Sequence, residues 1–416
     1  MSPTPEQPAS EPAVDEVRAK RRKKSLRYVA SLDGLRAIAA LGVVIIHTES
    51  ESGASIRVYV YTGAVVGPFF MLFFAISGFV LYRGWARRHM ALRVRRRGER
   101  RSTTRGTPDG GSDGRTGSYL VRRLLRIYPL YWVVATAALV VSDSGTDNSL
   151  MDYVQVYLLL PFPNPQALVS LGLGIVVWTL IIDVVFYVYV AGHGAVMYRV
   201  IHKLRHRWTP FAIESAVLFA MAATFVVLGW FVPAPVTALV CLPAGMWLAV
   251  CEAEQDIIGY KLGFFTQLVR MWPVVLGLYL VLGPIIVEQA AKAADYGELL
   301  SEMPGVQFLL VALSLWVLIA ILWGPSSWPT HRWLVSRPMR AAGLLTYGTY
   351  LWHPVVLMLL AQNQPDATLA FNLAVTIVGS VALATVTYWL VERPIGRYRL
   401  DLRRRPPSSG TPAPAS

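Results

Sequence analysis

Charge is scarce in this 416-residue chain: Asp, Glu, Lys and Arg together supply only 15%, against about 25% in an ordinary soluble domain. Apolar residues reach 54% and the mean hydropathy is +0.45. Disorder is excluded for most of the chain, and the balance argues against a simple soluble globule. Cysteine is scarcer still. Cys241 and Cys251 are the only two, which rules out a disulfide framework. They lie in one apolar run, and a helix would hold them roughly 15 Å apart, too far to bond. No Cys/His spacing suits a metal. No cleavable signal peptide is expected, because the polar N-terminus ends in the basic run Arg21-Arg22-Lys23-Lys24 and no cleavage site follows the next apolar run.

What the chain does have is apolar length. A membrane span needs about 20 residues, and such runs occur at 30–48, 64–82, 126–142, 170–191, 209–231, 235–251, 268–288, 305–324, 341–361 and 368–390. These ten runs predict an all-α, polytopic integral membrane helix bundle. Between the third and fourth runs, Tyr153–Leu160 is apolar but is cut off by Pro161, Pro163 and Pro165. Proline removes an amide donor and breaks helices, so this piece reads as an outer re-entrant or interfacial segment.

Acidic residues are outnumbered 39 to 25, giving a net charge of +14. A basic balance raises the question of nucleic acid, but membrane proteins also gather cations on the cytoplasmic side. With both termini inside, 35 of the 39 cations fall on cytoplasmic segments. The outer segments carry acids instead, among them Glu49, Glu51, Asp143, Asp147, Asp152 and Asp366. The charge therefore reads as topology. Arginine outnumbers lysine 33 to 6, a hint of a GC-rich bacterial genome. The expected organisation is a disordered basic tail over 1–29, a membrane domain over 30–397 and a disordered tail over 398–416. Within the domain, 83–118 reads as a flexible basic cytoplasmic loop with eleven arginines. It suits anionic lipid, and without interleaved aromatics it does not suit nucleic acid.

Charges inside a bilayer cost about 2.5–3.5 kcal/mol on insertion scales, so those that remain are informative. In the first run, Asp33 and Arg36 are three apart and can pair on one helix face. Arg36 and His47 are eleven apart, nearly three turns, and share a face roughly 16 Å long. A snorkelling arginine and a capping histidine at the two interfaces would look the same. In the fourth run, Trp178 precedes a deep Asp183, and Tyr187 lies one turn on, where it can donate to that carboxylate. In the ninth run, Tyr350 and His353 share a face, and Pro354 leaves the Tyr350 carbonyl without its helical partner. Arg122, Arg123 and Arg126 precede the third run, with Arg123 and Arg126 pointing one way. Arginine forks suit phosphates, which lipid headgroups would also provide.

These elements occur in an order that resembles the bacterial acyltransferase type 3 family of integral membrane enzymes. The resemblance rests on Asp33-Gly34-Leu35-Arg36 with Arg-x10-His, and on Phe73-Phe74-Ala75-Ile76-Ser77-Gly78-Phe79. It also rests on Arg123-x-x-Arg126, Trp178 with Phe186-Tyr187, Tyr350-Leu351-Trp352-His353-Pro354 and the closing Val391-Glu392-Arg393-Pro394. It runs from about Ser31 to Arg397. Where the family usually carries glutamate, this chain has Asp183, one methylene shorter.

The resemblance implies an O-acyltransferase of the bacterial inner membrane. It would move an acyl group, acetyl above all, from cytoplasmic acyl-CoA to a hydroxyl of a glycolipid, glycan or small glycosylated metabolite. Acyl-CoA is then a co-substrate, with no permanently bound cofactor and no metal. Arg36 and His47 match the pair placed at the active centre, with Asp33, Asp183 and His353 as further catalytic candidates. Arg122, Arg123 and Arg126 are the expected donor-binding residues, and Trp178, Tyr187 and Tyr350 the expected substrate-contacting ones. His47 is the expected base, and Arg36 or His353 the expected oxyanion stabiliser. Ser77 is a second-rank nucleophile, because Ser-Gly is more simply a helix-packing site. A proton-coupled transporter or flippase is the alternative, since intramembrane Asp183, Arg36 and His353 would serve it too. No paired repeat supports that reading. A non-enzymatic scaffold would not need the aligned polar groups.

Overall fold

The computed structural model describes residues 11–53, 56–96, 116–142, 148–161, 172–204, 209–231, 236–259, 263–271 and 304–397, with scattered positions between 162 and 171 and between 272 and 285. Among the described residues there is no strand. The long helices are α1 (Glu11–Glu51), α2 (Ile56–Arg96) and α3 (Thr116–Val141). A short α4 (Leu150–Leu158) follows, then α5 (Gly174–Leu204), α6 (Pro210–Phe231), and α7 (Cys241–Ile258) after a 3₁₀ turn at Val236–Val240. The remainder are α8 (Gly263–Arg270), α9 (Pro304–Trp323), α10 (Pro329–Leu334), α11 (Arg337–Asn363) and α12 (Leu369–Thr387). Tyr388–Glu392 closes the last helix as a π turn.

Nine helices among the described residues are long and apolar enough to cross a membrane. They correspond to nine of the ten expected runs. In the run at 268–288, residues 272, 276, 278–280, 282, 284 and 286–288 lie outside the described residues. The first two helices are longer than expected. α1 begins at Glu11, inside the segment read as a tail, and α2 continues past Arg83 to Arg96, inside the segment read as a loop. The rest of that loop, 97–115, and the tail 398–416 lie outside the described residues. Cys241 and Cys251 are free and buried.

Close packing in this bundle relies on glycine, because lipid gives helices little hydrophobic reason to associate. A Cβ on Gly78 of α2 would strike the Leu242 carbonyl at the start of α7, and one on Gly245 of α7 would strike the Ala75 carbonyl. Gly78 is thus a helix-packing site, while Ser77 beside it faces a cleft. Likewise, a Cβ on Gly34 of α1 would meet the Leu334 backbone at the end of α10, and Gly343 of α11 abuts the Asp33 backbone. These contacts hold α1 and α11 side by side.

The expected re-entrant piece is the helix α4. Ser149 caps it with a capping box to Asp152, and Leu159 ends it in the left-handed region at φ 51°. The Leu159 and Leu160 amides reach only Val156 O and Gln155 O, so its last carbonyls can take donors from elsewhere. One face of α3 supplies three: Tyr128 donates to Leu158 O at 2.7 Å, Tyr131 to Val156 O at 2.7 Å and Trp132 to Tyr157 O at 3.0 Å. Leu150, Met151 and Leu158 remain exposed on its other side, as lipid-facing residues should.

Candidate functional site

Five helices, α1, α2, α3, α5 and α11, line a cleft with a cavity volume of about 110 Å³. Arg36 comes from α1, Arg123 and Arg126 from the start of α3, and Asp183 and Tyr187 from α5. Phe70, Phe73, Phe74 and Ser77 of α2 and Thr346, Tyr347 and Tyr350 of α11 complete the wall. The helical spacing explains the convergence. Arg123 and Arg126, three apart, share a face, as do Asp183 and Tyr187, four apart. Three guanidinium groups and one carboxylate thus face a common space whose other wall is aromatic.

The partners of these groups are few. Arg36 donates to Asp33 at 3.5 Å, a weak contact. Asp33 is 41% exposed at its side chain and does not line the cleft. The hydrogen bond expected from Tyr187 to Asp183 is not made among the described residues. The two groups interact only through their charge distributions, and Asp183 lies within electrostatic reach of Arg126 and Arg36 instead. Trp178 is not in the wall either. It packs behind it, 5.7 Å from the ring of Phe70. Arg122 is also outside the lining.

The two histidines meet. His47 Nδ1 lies 2.8 Å from His353 Nε2 with the rings stacked, although 306 positions separate them in sequence. His353 Nδ1 lies 2.6 Å from the Tyr350 carbonyl oxygen. Both nitrogens of His353 are therefore occupied. Val43 and Tyr350 line the cleft, and His47 and His353 each follow one turn further along the same helix. The histidine pair thus stands at the end of the cleft away from Arg36.

Three residues that the sequence assigned no role also stand here, Glu392 among them although it belongs to the closing motif. Thr179 lines the cleft and donates to Val176 O at 2.7 Å, so the Tyr350 hydroxyl, 2.5 Å away, is the donor to Thr179. Their spacing within α5 and α11 gave no hint of this crosslink. Glu392 ends the π turn with a buried carboxylate oxygen that makes no hydrogen bond, within electrostatic reach of Arg126. π turns in helices often mark functional positions. Tyr347 donates to Ile127 O at 2.8 Å and ties α11 to α3 beside the arginines.

A second polar cluster lies outside the cleft. Tyr82 donates to both oxygens of Glu214, at 2.6 and 2.7 Å, and His89 Nδ1 contacts Oε1 of the same carboxylate. His89 Nε2 bonds Gly194 O at 3.1 Å, and Tyr189 bonds His193 Nδ1 at 3.0 Å. Tyr82, His89 and Glu214 are fully buried. At the same end, Arg83 binds Glu252 with two nitrogens, at 3.1 and 2.7 Å, and Arg87 bridges Glu252 and Asp256.

A bundle of membrane-length helices with charged groups turned inward onto one cleft, and an imidazole pair beyond its end, is the architecture of a multi-pass membrane enzyme or carrier. Residues 29–391 match the family model described as an acyltransferase domain. The chain belongs to the acyltransferase type 3 family and is a multi-pass membrane acyltransferase. No significant match was found among curated proteins or among solved structures.

Proposed function

We propose that the protein transfers an acyl group, acetyl in the simplest case, from acyl-CoA to a hydroxyl of a cell-envelope glycolipid, glycan or small glycosylated metabolite. One observation carries this reading: Arg36, Arg123, Arg126 and Asp183 face one cleft, and the His47–His353 pair stands one helical turn beyond the lining residues Val43 and Tyr350. Donor phosphates suit the arginine end, because guanidinium forks pair with phosphate oxygens. The positive-inside rule puts that end in the bacterial cytoplasm, where acyl-CoA is made, since 35 of 39 cations lie on its side of the map. The pantetheine arm would extend between α1, α3, α5 and α11 toward the histidines.

The chemistry then closes without a metal. His47 takes the proton of the acceptor hydroxyl as the oxygen attacks the thioester carbonyl. Arg36 stabilises the developing oxyanion. The thiolate leaves and receives that proton, giving an ester and free CoA. Asp183 sets the local charge around the arginines. Trp178, Tyr187 and Tyr350 shape the acceptor path, Trp178 from behind the wall. Transport of an unmodified solute would not require a CoA-binding arginine pair. The purified protein should therefore bind acetyl-CoA, more weakly when Arg123 and Arg126 are both replaced by Gln. His47→Ala should lower acyl-CoA turnover by about 10²–10⁴-fold, the usual contribution of a general base. Near-normal turnover in that variant would remove His47 from the reaction. Lipid and glycan mass spectrometry of a deletion strain, read for a lost acyl increment, identifies the acceptor.

A further inference from the structure

Pro354 sits inside α11. In a regular helix the amide of residue 354 would bond the carbonyl of residue 350, but proline has no amide hydrogen. That carbonyl is the one His353 Nδ1 reaches at 2.6 Å. A carbonyl oxygen only accepts, so His353 carries its proton on Nδ1. His353 is fully buried, and among the described residues no carboxylate bonds it. The neutral ring has one N–H, so Nε2 is an acceptor. His47 Nδ1, 2.8 Å from it, must then be the donor. His47 is left with a bare Nε2, which makes no hydrogen bond among the described residues.

We infer that Pro354 and His353 are positioning residues: the proline withholds an amide from the Tyr350 carbonyl, and the freed carbonyl fixes the tautomer of His353 and, through it, of His47. The catalytic base is thereby held with Nε2 unprotonated. This inference rests on the acyl-transfer reading for its consequence, and on the hydrogen-bond chain alone for its geometry. It also accounts for a proline inside an otherwise regular helix. The device costs one helical hydrogen bond and returns a ring orientation, the kind of support that orienting groups give catalytic imidazoles.

Two readouts test it on the full-length protein in lipid bilayers. Solid-state NMR with ¹⁵N-histidine separates protonated from bare ring nitrogens without any turnover, with His47→Gln and His353→Gln assigning the signals. The wild type should show His47 and His353 both protonated on Nδ1 and bare on Nε2. In Pro354→Ala, the new amide competes for the Tyr350 carbonyl and a second tautomer of both rings should emerge. Alanine favours helix over proline, so this variant should fold at least as well as the parent. Its kcat should nevertheless fall by about tenfold or more with the donor KM unchanged. His353→Gln, whose carbonyl can still accept from His47, should retain about tenfold more activity than His353→Ala. A wild-type His47 protonated on Nε2, or a Pro354→Ala protein with parental tautomers and kcat, would overturn the inference. If no acyl-CoA is turned over by the wild type, the acyl-transfer reading fails, and the NMR signals still decide the tautomer chain.

Discussion

Two polar clusters are buried in this bundle, and they are built in opposite ways. Around Glu214 the side chains mostly bond one another, with His193 Nε2 left 3.7 Å from the carboxylate and without a hydrogen bond among the described residues. Tyr82 donates to the carboxylate, His89 bridges it to the Gly194 carbonyl, and solvent is shut out. The Gly194 carbonyl accepts from His89 Nε2, so a neutral His89 would turn a lone pair on Glu214. One more proton must lie between them, and the cluster is closed with respect to charge. Around the cleft the reverse holds. Arg36, Arg123, Arg126 and Asp183 face the cleft; among the described residues Arg36 has only the long contact to Asp33, and Arg123 lies over the Tyr119 ring. A cluster bonded mostly within itself holds helices together, whereas charges left facing a cavity are there for something that enters it.

The contrast is open to breakage by substitution. Glu214→Ala should give the largest stability loss. It leaves Tyr82 and His89 buried without their acceptor, and removing one partner of a buried pair costs about 3–5 kcal/mol. Thermal unfolding in detergent reads that loss, and turnover per folded molecule should stay near the parental value. An unchanged melting temperature would mean that the cluster is not a structural tie.

Arg36→Gln should do the opposite. Loss of an oxyanion donor lowers kcat by about 10²–10³-fold, or about 2.7–4 kcal/mol of barrier. Stability should hold or rise, because an incompletely paired charge has been removed from the bundle. Asp183→Asn is expected to share the stability behaviour with a smaller effect on kcat. A destabilised Arg36→Gln protein with normal kcat would place Arg36 among the structural charges, beside Arg83 and Arg87.

How much of this could be read from the residues alone differs between the two clusters. Part of the cleft was legible, because some of its groups sit at helical spacings within single spans, Arg123 with Arg126 and Asp183 with Tyr187, while Asp33, His47, Arg122, Trp178 and His353 fall outside its lining. Pro354 also announced a free carbonyl at Tyr350. What took that carbonyl was legible only in part, since the His47–His353 contact joins two ends of the chain. The Glu214 cluster was missed for two separable reasons. Glu214 lies within an apolar run, and the reasoning that singled out Asp183 applies to it equally. His89 was hidden by its arginine-rich surroundings, although Tyr82, Ala86, His89 and Met90 keep a helical period and are fully buried. Composition pointed to a loop there, and periodicity pointed to the helix that is found. The pairing of Arg83 and Arg87 with Glu252 explains how so basic a segment holds that helix.

The smallest expected effect lies at α4, a polar feature at neither cluster. Ser149 donates to the Asp152 carboxylate through both its amide, at 2.9 Å, and its hydroxyl, at 2.7 Å. These bonds hold the Asp152 carboxyl below its usual range. A carboxylate depressed in the fold contributes stability above its unfolded pKa of about 3.9, and that contribution fades as the pH falls through the lower, folded value. The cap should therefore persist throughout the neutral range and weaken only in strong acid. Ser149→Ala should cost about 1 kcal/mol of local helix stability. Hydrogen exchange should show it as faster exchange over Leu150–Leu158, with global unfolding and turnover almost unchanged. The α3 hydroxyls hold the other end of this helix, so fraying should begin at Leu150 and stop before Val156, whose carbonyl Tyr131 still binds. Loss of turnover in Ser149→Ala would instead make α4 part of the cleft's working machinery, and the division between structural and functional polar groups would have to be redrawn at α3.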